Sequence, residues 1–390
     1  MCSKTFKKKR IIFYCQHSVG IGHLIRSFAL VNSLKSTFEV TLISGGVFPN
    51  KISIPDKINF IQLPPIGIDE NNSLKVQNSR EPLHLVMKKR QSLMLNYFKS
   101  NKPNIFITEY FPFGKMQFMG ELLPVLKFIK TNERNTKIIC SSRDILESST
   151  TTNKMYQDFS VKIINDFYDR ILVHGDETLI RFGQTFPLSR KLQVPIEYTG
   201  YVTNSTQKQK KNRNHFKEVI LSAGGGKIAH PFIFKVVKSF ISFGFGKGIV
   251  LRVIPGPMYP KDKFKFLTDI VKDKPNIILK QTVEDLTSFW VNARLSISSG
   301  GYNTLMELIS SGIPAIVSPY RNESNSEQEI RSNYLSKKGL IKTMFYENMD
   351  EEQISYTVRK ALNFQPSNYD VNLKGSSKTR EILENIIDVN

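Results

Sequence analysis

Residues Leu295 to Leu308 read as a strand, a Ser298-Ser299-Gly300-Gly301 turn, and a helix opening near Tyr302-Asn303-Thr304. Small side chains let the backbone come close to a ligand. Amides at a helix start carry partial positive charge, which suits a phosphate group. Glu307 falls on the first turn or so of that helix, where a carboxylate can accept from a ribose or sugar diol. The strand Ala315 to Ser318 then runs through Pro319 into a polar loop, Tyr320 to Gln328. That loop starts at the carboxyl end of a strand, the place where open α/β sheets bind ligands.

A second group of candidates lies near the start of the chain. Gly20-Ile21-Gly22-His23-Leu24-Ile25-Arg26 has the outline of a dinucleotide loop, but Arg26 stands where close helix–strand packing would want the third glycine. The following strand ends in Ile43-Ser44 and offers no acidic residue to an adenosine ribose. His23, at a helix start, is the best-placed general base for activating a hydroxyl. A helix N-terminus keeps an imidazole neutral and able to accept a proton. His17 competes for that role, and a histidine that merely caps the loop is the plain alternative. Arg143 and Asp144 follow the strand Lys137 to Cys140; Asp144 could assist His23 and Arg143 could hold a phosphate, or the pair could serve the fold as internal ion partners. Glu109, after the strand Asn104 to Thr108, has the same placement.

These residues need a scaffold of parallel strands, and the sequence supplies one twice. Strand Arg10 to Cys15, a glycine loop and a helix Leu24 to Leu34 with apolar positions at 24, 25, 28, 29 and 31 open the chain. Further short apolar runs alternate with helical patterns up to Arg170–His174, which predicts a mainly parallel sheet covered on both faces. Thr203 to Asn214 holds no apolar residue and reads as a linker. The pattern then restarts with strand Glu218 to Leu221, the loop Gly224-Gly225-Gly226 and a helix near His230. The expected organisation is therefore an N-terminal domain over 1–202, a linker over 203–215 and a C-terminal domain over 216–390, with the last helix free to pack back on the first domain.

Composition narrows the setting. A hydrophobic fraction of 40% and a charged fraction of 23% are those of a globular protein. Lys+Arg of 55 against Asp+Glu of 34 gives +21, a field that would draw any phosphorylated partner, although a lysine-rich bias of composition gives the same number. Three cysteines without CxxC spacing argue against disulfides and thiolate zinc and for a reducing, cytoplasmic setting. The basic start at Met1 to Arg10 is not expected to act as a signal peptide, and no run approaches a membrane span. The chain has no Asp-x-Asp and no HExxH, so no metal and no cofactor are expected. Leu83 to Lys102 mixes Lys88, Lys89, Arg90, Lys99 and Lys102 with apolar residues. It reads as an ordinary amphipathic helix or as one resting on the inner face of an anionic membrane. Nothing points to nucleic acid.

The cluster Ser299-Gly300-Gly301-Tyr302-Asn303-Thr304, Glu307, Gly312-Ile313-Pro314-Ala315 and Glu327-Gln328 with Arg331 resembles the C-terminal domain of MurG-like GT-B glycosyltransferases (glycosyltransferase family 28). More closely, it resembles the bacterial and archaeal family of predicted glycosyltransferases related to them. Supporting matches include Gly22-His23, Arg143-Asp144, Gly200-Tyr201-Val202 and Gly224-Gly225-Gly226, over roughly residues 10 to 345. The resemblance implies a GT-B fold, an α/β architecture of two Rossmann-like parallel-sheet domains facing a central cleft. It implies a metal-independent transfer of a sugar from a nucleotide-diphosphate donor, a UDP-sugar in preference, to a glycan, lipid-linked or small-molecule acceptor. His23 and Asp144 would be catalytic, and Glu109 and Arg143 would lie on the acceptor side. Gly22, Gly224, Gly225, Gly226, Ser299, Gly300, Gly301, Asn303, Thr304, Glu307, Glu327, Gln328 and Arg331 would hold the donor. Glu307 would take its ribose, and Glu327 and Gln328 its sugar hydroxyls. Arg331 stands where MurG-type enzymes carry an asparagine, which leaves the sugar open. The glycine-His-Arg loop also resembles nucleotide-sugar hydrolases of nonulosonate synthesis. A catalytically silent sugar-nucleotide or membrane-surface binding protein is the third reading.

Overall fold

The computed structural model describes residues 8–17, 21–49, 52–68, 73–146, 153–203, 213, 215–320 and 326–388. Gly20, most of the linker and residues 321–325 of the polar loop lie outside them. The chain divides into two compact units, residues 1–202 with 374–390, and residues 203–373.

In the first unit seven strands form one sheet: β1 (Arg10–Cys15), β2 (Glu39–Ser44), β3 (Asn59–Gln62), β6 (Ile105–Glu109), β7 (Lys137–Arg143), β8 (Arg170–His174) and β9 (Ile196–Tyr198). Their order is β3-β2-β1-β6-β7-β8-β9, and every neighbouring pair is parallel. A small antiparallel hairpin, β4 (Ile66–Ile68) with β5 (Leu74–Val76), stands apart. Strands such as Ile11-Ile12-Phe13-Tyr14-Cys15 are apolar throughout because helices cover both faces, so no position faces water. One apolar layer contains Tyr14, Phe106, Ile138 and Phe182; the other contains Phe13, Leu30, Ile107 and Leu172. The closing helix Gly375–Asp388 belongs to that second layer, where Leu383 is fully buried beside Leu30 and Leu34. Ser33 Oγ donates to the Ser376 carbonyl at 3.0 Å and Thr37 Oγ1 to Glu384 at 2.9 Å.

The helix Leu83–Ser100 faces its core with Val86, Met94 and Phe98 and also with Arg90, which is 0% exposed. Arg90 binds Glu121 through Nε at 2.7 Å and Nη2 at 2.8 Å, and the Gly45 carbonyl through Nη1 at 2.7 Å. Among the cations of the Leu83 to Lys102 stretch, Arg90 thus points inward, because a buried carboxylate needs it. Leu85 and Leu93 are exposed. Among the described residues no helix is long and apolar enough to cross a membrane.

The second unit repeats the plan with six parallel strands in the order β12-β11-β10-β13-β14-β15. They are β10 (Glu218–Ser222), β11 (Val250–Ile254), β12 (Ile277–Leu279), β13 (Ala293–Ser299), β14 (Ala315–Ser318) and β15 (Lys342–Thr343). In each unit the strand order reverses direction beside the first strand, between β1 and β6 and between β10 and β13. Loops leaving the carboxyl ends of those strands diverge and open a crevice, the place where sheets of this kind take ligands.

Candidate functional site

The first unit's crevice is built on β1 and β6. Tyr14 pairs with Thr108, so the residues that follow each strand emerge side by side. The helix Gly22–Leu34 starts after β1 and carries His23 at its second position and Arg26 three residues on, on the same face. β6 ends in Glu109, which is 0% exposed. The His23 Nδ1 lies 2.8 and 2.7 Å from the two Glu109 carboxylate oxygens, and Arg26 Nη2 binds the same carboxylate. Arg143, ending β7, donates through Nη2 to the His23 Nε2 at 2.7 Å. A guanidinium has no acceptor, so the Nε2 accepts and the Nδ1 holds the proton that Glu109 receives. His23 is therefore a neutral imidazole with a defined tautomer.

Electrostatics agree with that assignment. Burial and the nearby Arg143 charge press the His23 imidazole down to about 3, outweighing the pull of Glu109. Burial alone would raise the Glu109 carboxyl, but His23 and Arg26 hold it at about 2. The Tyr110 ring faces both groups, 5.5 Å from the His23 ring and 5.4 Å from the Arg143 guanidinium carbon. Its backbone is left-handed, φ 65°, as is that of Lys115, φ 61°.

Asp144, expected to assist His23, is committed elsewhere. Its Oδ1 accepts from the Ile145 amide at 3.0 Å and its Oδ2 from the Tyr201 hydroxyl at 2.7 Å. The carboxylate on His23 is Glu109 instead, which ends β6, the strand beside β1. His17 is buried with its Nε2 3.0 Å from the Val47 carbonyl, so His23 and not His17 holds the carboxylate hydrogen bond. Arg26, which the sequence shows in place of a third glycine and as part of the glycine-His-Arg loop, is thus a partner of Glu109, and Tyr110 and Lys115 join the site without a sequence signal. The i, i+3 spacing from His23 was the available signal for Arg26. Gly22 is the first residue of the His23 helix, in the first unit.

The second unit's crevice is built on β10 and β13. Ser222 pairs with Ser298, and their hydroxyl oxygens are 3.0 Å apart, with Ser296 Oγ 2.8 Å from Ser298. Ser298 therefore ties strands together beneath the turn. The helix Tyr302–Ser311 follows Gly301 without any side-chain cap. Gly224 packs so near its first turn that a Cβ there would lie 3.4 Å from Thr304 Oγ1. The Gly224-Gly225-Gly226 loop interlocks with the loop after β11: a Cβ on Gly256 would meet the Gly224 carbonyl oxygen at 2.2 Å. Met258 closes the pair by donating its amide to Gly225 at 2.8 Å.

Glu307 is the sixth residue of its helix, so it stands in the second turn and not in the first. Burial and the neighbouring Asp285 push its carboxyl up to about 7. Among the described residues nothing hydrogen-bonds it. Gln328 lies close to the Gly300 backbone, and its Oε1 accepts from the Tyr320 amide at 3.0 Å. Glu327 and Gln328, expected in a loop, are the first two residues of the helix Glu327–Lys337.

Arg331 and Glu327 differ from expectation. Arg331 is 0% exposed and pairs with Glu327 four residues earlier at 2.9 Å, with its guanidinium carbon 5.1 Å from the Tyr302 ring centroid. Helical i, i+4 geometry turns both side chains toward each other and inward. The Arg331 guanidinium thus packs against Tyr302, the first residue of the Tyr302 helix. Among the described residues no three His, Cys, Asp or Glu side chains gather as a metal site would need.

Residues 251–386 match the glycosyltransferase family 28 C-terminal domain. Over 96% of this chain and 98% of its own length, an uncharacterized glycosyltransferase of Methanosarcina mazei is 24% identical. The UDP-N-acetylglucosamine--N-acetylmuramyl-(pentapeptide) pyrophosphoryl-undecaprenol N-acetylglucosamine transferase of Prochlorococcus marinus is 32% identical over 30% of each chain. Among solved structures, MurG of Acinetobacter baumannii superposes with a TM-score of 0.57 at 14% identity, covering 98% of both chains. The fold is GT-B, with one parallel sheet in each of the two units.

Proposed function

We propose that this MurG-like GT-B glycosyltransferase moves a hexosyl or N-acetylhexosaminyl group from a nucleotide-diphosphate sugar, a UDP-sugar in preference, to a hydroxyl of a glycan, lipid-linked or small-molecule acceptor, without a metal ion. The observation that carries this reading is the neutral His23 held by Glu109 through Nδ1. A carboxylate on Nδ1 fixes the tautomer, presents Nε2 as the proton acceptor and stabilises the imidazolium that forms. His23 takes the hydroxyl proton as the acceptor oxygen attacks the anomeric carbon. The preference for uridine rests on the name of the Prochlorococcus relative, whose donor is UDP-N-acetylglucosamine.

The second unit would hold the donor. The uncapped amides of the Tyr302 helix and the Ser299-Gly300-Gly301 turn suit the diphosphate, and they can stabilise charge as it grows on the leaving group. Asn303 and Thr304 on the first turn would complete that contact, with Gly224 to Gly226 bordering it. The unsatisfied Glu307 carboxyl suits the two ribose hydroxyls, and Gln328, beside Gly300, suits a sugar hydroxyl. Glu109, Arg143 and Asp144 would frame the acceptor side. A lipid-linked acceptor would fit the exposed Leu85 and Leu93 among the lysines of their helix, resting on the cytoplasmic face of a membrane.

Incubation with UDP-, GDP- and TDP-sugars, with and without extracted lipids as acceptors, tests the reading. Transfer that falls about 100-fold in His23→Ala supports the base assignment, whereas unchanged turnover removes it. Equal release of free sugar and nucleotide without any need of acceptor would make the protein a hydrolase.

A further inference from the structure

We propose that Arg143 is a latch on the base: it occupies His23 Nε2 and keeps water from being activated until an oxyanion on the acceptor draws the guanidinium away. The inference rests on His23 acting as base and adds a class of acceptor, one bearing a carboxylate or phosphate near the reacting hydroxyl.

The geometry supplies the latch. The Nδ1 of His23 is committed to Glu109, so Nε2 is the atom left to receive a proton, and Arg143 Nη2 donates to it at 2.7 Å. A guanidinium keeps its charge at any working pH and can only donate. While it rests there the lone pair is filled, and a protonated imidazole would face a cation at contact distance.

The same contact is a poor one for arginine. One N–H meets a neutral nitrogen, where a carboxylate or phosphate would present two oxygens and a formal charge to the fork. Exchange of His23 for an oxyanion is therefore favourable for Arg143. Charge around the site points the same way. The groups facing His23 are Glu109 from β6, Arg143 from β7, Arg26 from its own helix and Lys115 from the segment after β6, with the uncharged Tyr110 ring beside them. Glu109 is one negative charge among three positive ones. Lys115 is half-buried, its ammonium makes no hydrogen bond among the described residues, and it stands as a second cation for the incoming group.

A closed latch suppresses loss of donor to water. In that side reaction a water oxygen bonds to the anomeric carbon, and the bond from that carbon to the β-phosphate oxygen breaks. UDP leaves with the electron pair, and the water proton goes to His23 Nε2, giving an imidazolium paired with Glu109.

Two measurements test the latch. The first is hydrolysis of UDP-N-acetylglucosamine with no acceptor present. Wild type should be slow, and inorganic phosphate or acetate should stimulate it several-fold; whichever acts at the lower concentration identifies the favoured oxyanion. Arg143→Gln should hydrolyse about 10-fold faster without any anion and no longer respond to one, and adding His23→Ala should return it to background. Arg143→Lys, which keeps the charge and loses the fork, should respond to anions weakly. The second is nitrogen-15 NMR of the histidines, which needs no donor. The His23 Nε2 resonance should shift on adding phosphate to wild type and should titrate at higher pH in Arg143→Gln. A His23 resonance indifferent to both, in a protein that turns over the UDP-sugar, would overturn the latch. A resonance that moves as expected in a protein that cleaves no nucleotide sugar would retain the latch and overturn the donor reading.

Discussion

Glu307 carries a carboxyl that burial and Asp285 bring to about 7, so near neutral pH it is divided between two forms. Ribose hydroxyls donate to the charged form, and a bound donor should draw the proton off. Affinity for UDP-N-acetylglucosamine, whose diphosphate diester does not titrate in this range, should therefore rise roughly 5- to 10-fold from pH 6 to pH 8 and then level off. Calorimetry on wild type and Glu307→Gln checks this. The variant should bind about 1–3 kcal/mol more weakly with a flat profile, and a flat profile in wild type would reject the ribose role. The sequence offered Glu307 and His23 as candidates because both follow a glycine turn after a strand. It could not rank Glu109 above Asp144: both follow strand ends, and which one meets His23 depends on strand order across the sheet.

The two glycine loops of the second unit act as one element. Gly226 (φ 84°) and Gly256 (φ 113°) lie in the left-handed region, and any Cβ on either would strike a carbonyl of the opposite loop, at 2.4 Å for Gly226 and 2.2 Å for Gly256. Gly256→Ala should cost on the order of 1–3 kcal/mol of unit stability and weaken donor binding at least 10-fold by pushing the Gly224 to Gly226 segment out of place. Gly244→Ala is the control, since φ is 61° there but nothing lies within 4 Å. It should lose stability without losing donor affinity beyond that loss, and equal effects from the two would show the interlock to be irrelevant. The strands were legible as short apolar runs and the Tyr302 helix as a period of apolar residues behind a glycine turn. The helix Glu327–Lys337 was not, because Ile330, Tyr334 and Leu335 are its few apolar residues and set up no clear stripe.

Across the whole molecule, the closing helix is part of the first unit's core, where Ile382 is 6% and Leu383 0% exposed. Ending the chain at Lys374 removes two buried aliphatic side chains, each about 1.5–3 kcal/mol of burial. The first unit should then melt earlier, while the second unit, whose core contains none of these residues, keeps its own transition. Hydrogen exchange read unit by unit checks this, and unchanged protection in the first unit would reject it. Acid should also undo the first unit. His23 and His174 are both held at about 3, His174 chiefly by burial between Ser141 and Thr199. Unfolded histidines bind protons below about 6.5, while the native ones stay neutral. Their contribution is complete above that pH and lost as pH falls toward 3, at no more than about 1.4 kcal/mol per pH unit for each. Urea midpoints should decline from pH 6.5 downward, less steeply in His174→Gln; a level curve would count against buried neutral imidazoles.

The sequence by itself determined two parallel α/β sheets, the glycine turns that leave their strands, and the side chains available there for chemistry. Local propensity and apolar periodicity act over a few residues, and that range suffices for strands, turns and helix starts. Only the tertiary structure decided which of those side chains meet. Glu109 and Arg143, 86 and 120 residues from His23, reach opposite nitrogens of one imidazole because β1, β6 and β7 are neighbours in the sheet. Arg331 and Glu327 turn inward because the helical period pairs them. Sheet order and helix rotation depend on how the whole core packs, and no short stretch of residues encodes that.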